Sequence, residues 1–450
     1  MVFILLSVHS VHALSFPTGI TNYVALNISN SQSSATPSPF QQMINVTSSD
    51  NGWTYINTNQ TTAFGENVEF FYSNGTIIPS WLESYSSSNA IWWVKVGSIA
   101  ADSKLTIYMG FASKTTNLLN NKTTGEAPQL SSTYAEYDDG ANVFTDYWNF
   151  AGTSLPSGWT YYNAEPTIDN GLDFASPNEL ISTTTTYPIT NILEGDVTAP
   201  STSDNMGFGY AVDIDGNPYT YYDYWIETGT AAGDYYSGVF LQSADENFGS
   251  ISSDSVATFG SLSQGIIGIV STGTTSYGYS NYISYSTTSD VPATGNYYIA
   301  IGDGGVSSGL KVQWLRIRAY PPNGVMPSVT FGSVISTAAI TLYLNGVSNA
   351  NVTITYGTES NFTAVISPRT DYVSLYVNGT KVASLTQGKA VYLKTLSAGL
   401  YKVTASTNAS GVNNQTYYEK INKATDYLSL SSNPKVNYTY NVLQSCLCLE

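Results

Sequence analysis

Short alternating runs of apolar and polar residues, with almost no helical period between them, constrain this chain most. They recur at Asn67–Tyr72, Ile91–Val96, Lys104–Met109, Gly207–Ile214 and Tyr297–Ile301. Alternation at period two buries one face of a strand and wets the other. Three of the six Asn-Gly pairs, at Asn74-Gly75, Asn345-Gly346 and Asn378-Gly379, sit between such runs. Asn-Gly accepts the positive φ angles of a type I′ turn, so each pair predicts a hairpin. The 36 tyrosines favour half-buried pleated surfaces, and the 37 glycines and 17 prolines punctuate turns. The expected fold class is all-β, with β-sandwich domains in series. A length of 450 residues suits about three of them.

The first domain is expected over 14–133, ending in a Ser/Thr/Gly/Pro-rich connection, Thr115–Thr133. A second runs over 136–333 and closes with Leu310–Gly332. In that segment Leu310, Val312 and Trp314 share one phase, and Leu315 and Ile317 take the other, which predicts a bulge or a strand buried on both faces. A third, over 340–425, has the strand spacing of an immunoglobulin-like sandwich. Residues 426–450 read as the start of a truncated further repeat.

Residues 1–13 read as a signal peptide. The apolar run Val2–Val11 is too short to span a bilayer and leads into Val11-His12-Ala13, a small-residue cleavage pattern. No basic residue precedes Lys95, so the usual basic leader is missing and a buried first strand is the alternative. His9 and His12 are the only histidines. Cleavage after Ala13 would leave none, excluding Ser-His-Asp and Cys-His catalysis and His-ligated zinc. Cys446 and Cys448 are too close in sequence for an unstrained disulfide. The expectation is a secreted or cell-surface protein that is not an enzyme and has no membrane span of its own.

Charged residues make up 10% of the chain, where about 25% is usual. The net charge of −17 argues against nucleic acid as a partner. No Lys or Arg occurs between Lys122 and Lys311, although Asp and Glu recur there. Those carboxylates must be solvated, hydrogen-bonded, metal-bound or protonated. If they stand unpaired, mutual repulsion raises their pKa values and the domain gains stability as pH falls.

The strand Pro218–Glu227 offers the best candidate binding surface. Tyr221, Asp223 and Trp225 share one face of it. Flat rings flanked by a carboxylate suit sugars, which present apolar ring faces and peripheral hydroxyls. The plainer alternative is sandwich core on one face and tyrosine-rich surface on the other. Asp213, Asp215 and Asn217 place hard oxygen ligands at alternate positions, a pattern open to Ca2+. Tyr224 stands where an EF-hand needs Glu, so a turn between strands is the competing reading, and no other cofactor is expected. Asp138, Asp139 and Asp303 are further oxygen donors without decisive spacing. Glu136-Tyr-Asp138 and Glu194-Gly-Asp196 come nearest to the paired carboxylates of a glycosidase. Asn-x-Ser/Thr sequons stand at Asn27, Asn45, Asn59, Asn74, Asn121, Asn351, Asn361, Asn378, Asn408, Asn414 and Asn437. The stretch between Asn121 and Asn351 has none, as an unshielded binding face would require.

Two stretches carry a family resemblance. WLESYSSSNAIWWVKVGSIAADSKLTIYMGF, Trp81–Phe111, resembles an uncharacterised N-terminal β domain of prokaryotic, often archaeal, surface proteins. YDDGANVFTDYWNFAGTSLPSGW, Tyr137–Trp159, is similar to the entry strand of concanavalin-like (laminin-G-type) jelly rolls, and the segment at Leu310 to their last strand. The resemblance implies that the middle domain is such a jelly roll, a fold hosting both lectins and glycosidases. The expected function is non-catalytic recognition of carbohydrate, or of another surface protein, through Tyr221, Asp223 and Trp225. A structural surface-layer or stalk protein and a glycoside hydrolase are the alternatives.

Overall fold

Alternating burial organises the first sandwich. β1 (Asn22–Asn30) buries Val24, Leu26 and Ile28 and leaves the residues between them partly exposed. β2 (Phe40–Thr47), β3 (Val68–Phe71), β4 (Ser80–Tyr85), β5 (Asn89–Val96), β6 (Ser103–Phe111) and β7 (Thr124–Glu126) follow. They form two sheets, in which β2-β5-β4-β7 faces a sheet containing β1, β6 and β3. The core between them includes Phe40, Ile44, Phe70, Trp92, Val94, Ile107, Met109 and Phe111. Each such side chain contributes about 1.5–3 kcal/mol by leaving water.

The computed structural model describes residues 14–59, 63–176, 179–198, 206–211, 224–229, 238–242, 257–259, 264–288, 291–302, 309–337, 339–367, 372–385, 388–407 and 412–424. The chain forms two compact units, residues 1–337 and 338–450. In the first unit, the chain leaves β7 to build a larger two-sheet sandwich, the jelly roll of the expected architecture. An eight-stranded sheet centred on Ile192–Thr198 and Leu310–Arg318 packs against a seven-stranded sheet centred on Met206–Ala211 and Asn296–Gly302. Leu193, Val197, Phe208, Ile226, Ile267, Ile299, Val312, Leu315 and Ile317 fill the space between.

The chain then returns. Ser328–Ser336, placed largely with the jelly roll on sequence grounds, pairs antiparallel with β1 from Asn22↔Ser336 to Ser29↔Ser328. The first sandwich is therefore closed by a strand that arrives after the whole jelly roll.

The second unit is a two-sheet sandwich. Four strands, including Ala339–Leu344, Glu359–Ser367 and Lys389–Thr395, oppose five that include Val373–Val377, Gly399–Thr407 and Gln415–Asn422. Leu342, Phe362, Ile366, Leu375, Val403 and Ala405 form its core. Asn345-Gly346 (φ 50 and 83) and Asn378-Gly379 (φ 50 and 82) both take the two positive φ angles of a type I′ turn. At Asn74-Gly75 only the glycine does, so that turn is of another type.

Candidate functional site

The strand Leu310–Arg318 sets up the most unusual chemistry in the molecule. Asp196 pairs with Trp314 and Val197 with Val312, so Gln313 is bulged out of register. The bulge lets Leu310, Val312, Leu315 and Ile317 all face the jelly-roll core. Trp314, Arg316 and Arg318 then face the first sandwich; Trp314 does not share a face with Leu310 and Val312, as simple alternation predicts. A second bulge, between Leu82 and Ser84 of β4, falls at Glu83. From β4 and β5, Trp81, Glu83 and Trp93 meet the arginines, with Phe144 alongside.

Arg316 is fully buried. Its Nη1 lies 2.7 Å from Glu83 Oε2 as an ion pair. Its Nε and Nη2 donate to Glu194 Oε2 at 3.0 and 2.8 Å. The guanidinium carbon stands 4.6 Å from the ring centres of Trp93, Phe144 and Trp314, and 5.6 Å from that of Trp81. Arg318 donates through Nε and Nη2 to Glu194 at 2.9 and 2.5 Å. Burial pushes the Glu194 carboxyl upward, but Arg318 and Arg316 outweigh it and hold the group below its ordinary value. Glu194 is thus a paired carboxylate, supplied with cations by a strand beyond the Lys- and Arg-free stretch.

The hairpin Ser276–Ser280/Ile283–Thr287 turns on Asn281 and Tyr282, with φ of 46 and 68. A left-handed tyrosine is costly. Its hydroxyl contacts offset that cost: Arg316 Nη2 donates to it at 3.0 Å, and it donates in turn to Glu83 Oε2. Trp93 Nε1 donates to the same Glu83 oxygen at 2.8 Å.

Above this cluster opens a cleft of about 480 Å³, lined by Tyr85, Gln129, Asp196, Gln264, Asn281, Tyr282 and Trp314 among others. Tyr85 stacks on Phe64 with centroids 4.3 Å apart, and remains 46% exposed. Gln129 Nε2 donates to Asp196 Oδ2 at 3.1 Å. Burial first, then the Glu83 carboxylate, push Asp196 up to about 7, with Arg316 pulling the other way. The cleft therefore offers flat rings, planar amides and a carboxyl that titrates near neutrality.

A separate acidic cluster underlies β7. Asp138 accepts from Trp81 Nε1, Tyr147 Oη, Asn149 Nδ2 and the Gly140 amide, at 2.7 to 3.0 Å. Its neighbour Asp139 is 1% exposed, with neither carboxylate oxygen hydrogen-bonded. Burial, then Asp138, push Asp139 up to about 8, and burial pushes Glu69 and Glu126 up to about 7. Among the described residues no group of three or more His, Cys, Asp or Glu is placed to hold a metal ion.

Tyr221, Asp223, Asp213, Asp215, Asn217 and Asp303 lie outside the described residues. Trp225 lies on the strand Tyr224–Gly229, opposite Gly209 on one side and Gln242 on the other. Of the sequons, Asn408 and Asn437 lie outside; Asn27 is half-buried, and Asn45, Asn59, Asn74, Asn121, Asn351, Asn361, Asn378 and Asn414 are exposed. Sequence reasoning missed Glu83, Tyr282, Tyr85, Gln129, Gln264 and Asn281. One signal was available: two arginines alternating with Leu315 and Ile317 at the end of a strand expected to be buried on both faces must find buried partners.

Residues 64–161, spanning β3 to β7 and the jelly-roll entry, match the model of a domain of unknown function (DUF2341). Uncharacterized protein 562 of Sulfolobus islandicus rod-shaped virus 1 is 39% identical over 140 residues, 29% of this chain. The match spans 22% of that relative's length. Bacillus licheniformis β-glucanase aligns with 38% of this chain and 97% of its own, at 15% identity and a TM-score of 0.28. The calcium-bound exoplasmic/lumenal domain of VIP36 aligns over 41% and 95%, at 11% identity and 0.29. β-Agarase A from Zobellia galactanivorans aligns over 38% and 89%, at 10% identity and 0.27. These are likenesses of fold alone.

Proposed function

We propose that this is a secreted or cell-surface protein that recognises carbohydrate without transforming it, in the cleft between the first sandwich and the jelly roll. The chemistry of that cleft carries the reading. Tyr85 presents a ring face for a pyranose, and Gln129, Gln264, Asn281 and Asp196 present the planar donors and acceptors that read adjacent hydroxyls. Arg316 and its aromatic cage fix the floor beneath them, so little order need be gained on binding.

Asp196 favours a second reading, glycoside hydrolysis, because a carboxyl titrating at about 7 suits a general acid. Its partner argues against that chemistry. Glu83 Oε2 is engaged by Trp93, Tyr282 and Arg316 and is not free to attack a sugar or activate a water.

A glycan array of the full chain, followed by titration of variants, tests the proposal. Tyr85→Ala should weaken the best ligand about tenfold or more, as loss of an aromatic anchor does. Trp225→Ala should leave binding unchanged; the opposite pattern moves the site to the aromatic strand. Release of reducing ends from a bound glycan, abolished by Asp196→Asn, would replace recognition by hydrolysis. No binding to any glycan would sink both.

A further inference from the structure

Charge is divided unevenly between the two units. Residues 1–337 hold 27 acidic and seven basic side chains, a net −20, whereas residues 338–450 hold five acidic and eight basic, a net +3. In the second unit's five-stranded sheet, Val373, Leu375, Val403, Ala405 and Ile421 point into the core. Alternation puts Tyr376, Lys381, Leu400, Lys402, Tyr418 and Lys420 on the outer face, where the register sets Lys402 beside Tyr418 and Leu400 beside Lys420. A depression of about 340 Å³ on this face is lined by Tyr376, Gly379, Lys402, Thr404, Ser406 and Asn414.

No described acid shares that surface. Glu419 is on the same strand as Tyr418 and Lys420 but is buried, accepting from Ser360 Oγ at 2.5 Å and from Asn345. Glu359 is on the other sheet. None of the three lysines forms an ion pair among the described residues. Leu400 is 62% exposed and Tyr418 40%. Lysines alone would be an ordinary solubilising face; here they are interleaved with exposed tyrosine and leucine and with no described acid, which leaves a cationic and partly apolar surface suited to a partner of opposite charge.

We propose that this face docks on the acidic first unit of a second copy of the same chain. Two copies of net −17 repel on average. The approach that presents the lysine face to the −20 unit is attractive, so charge selects one orientation, head to tail. Glu165 and Asp169 are exposed acids on the jelly roll available to it. An extended polyanion, whether nucleic acid or anionic membrane, would have to tolerate the −20 unit that accompanies every lysine face.

Sedimentation velocity of the unglycosylated full chain, at about 20 mM and about 500 mM NaCl, tests this, because the screening length drops severalfold between them. Concentration-dependent association at low salt, lost at high salt, is expected. Lys402→Glu/Lys420→Glu should be monomeric at both, and Lys402→Arg/Lys420→Arg should associate as the wild type does. Both positions are exposed on a sheet surface, and an unchanged thermal transition confirms that the reversed variant is folded. A wild type that stays monomeric at low salt overturns the proposal. So does a charge-reversed variant that associates unchanged. Lysine-dependent flotation with phosphatidylglycerol vesicles, without self-association, would assign the face to a membrane instead.

Discussion

Arg316→Met removes a buried charge and keeps most of its volume, and it should destabilise the first unit by about 4 kcal/mol. Two carboxylates, Glu83 and Glu194, lose a shared cation that stands 2.7 and 2.8 Å from them. Breaking a buried pair by removing one partner costs about 3–5 kcal/mol, because the remaining charge is left without compensation. Glu194 retains Arg318, so the main loss falls on Glu83, which keeps only its hydrogen bonds from Trp93 and Tyr282. The four rings around the guanidinium lose a cation–π partner, an effect of about 0.5–2 kcal/mol that methionine's contact with aromatic rings partly replaces. All eight tryptophans lie before residue 338, so indole fluorescence of the full chain during urea unfolding reports the first unit without interference from the second. Glu83→Gln in the Arg316→Met background should recover at least half of the loss by neutralising the stranded carboxylate. A loss below about 1 kcal/mol, or a double variant no more stable than Arg316→Met, would show that the arginine is not what holds the two layers together.

Three further outcomes are expected. Asp139, Glu69, Glu126 and Asp196 have folded-state values of about 8, 7, 7 and 7, above their ordinary 3.8 and 4.5, so the folded chain holds protons that the unfolded chain releases. Stability is therefore full below about pH 4 as far as these groups are concerned and is lost as pH rises toward about 8; the urea midpoint should be higher at about pH 5 than at about pH 8, and the reverse order would refute it. Asp139→Asn removes the most strongly raised of these groups while keeping its shape, and should flatten that slope and stabilise the fold at about pH 8 by a few kcal/mol; an unchanged slope would mean that Asp139 is ionised or cation-bound in the fold. Gly125→Ala sets a methyl 2.5 Å from both Asp139 Oδ1 and the Tyr137 carbonyl oxygen, and should cost about 1–3 kcal/mol in the same melt, with no loss counting against the packing described.

Period-two patterning and turn chemistry made the all-β class legible, because they are local properties of the chain. The phase switch in Leu310–Arg318 was legible too, as a bulge buried on both faces. What sequence could not reveal was which residues the two bulges would bring together. Glu83 and Arg316 are 233 positions apart, and nothing local to Trp81-Leu82-Glu83 says that its acid is buried. The raised carboxylates have a similar history. Their lack of cations could be read from the sequence, but the leading cause is burial rather than the mutual repulsion expected, and Glu194 is paired after all. The strand Ser328–Ser336 escaped because its partner, β1, lies some 300 residues earlier and three prolines, Pro321, Pro322 and Pro327, precede it as if to end a domain.

That returning strand has a mechanical consequence. Asn22 pairs with Ser336, so β1 begins beside the point where the last strand of the first unit ends, as antiparallel neighbours. Tension applied through the two ends peels these strands apart from that end. In such peeling the backbone bonds are loaded one after another, whereas shearing would load all of them together. The jelly roll hangs beyond the zipper and carries none of the load until it has opened. Pulled at Asn22 and Ser336, the unit would yield first where the edge strand Ser328–Ser336 leaves β1, at low force, and lengthen while its cleft and arginine cage were still intact.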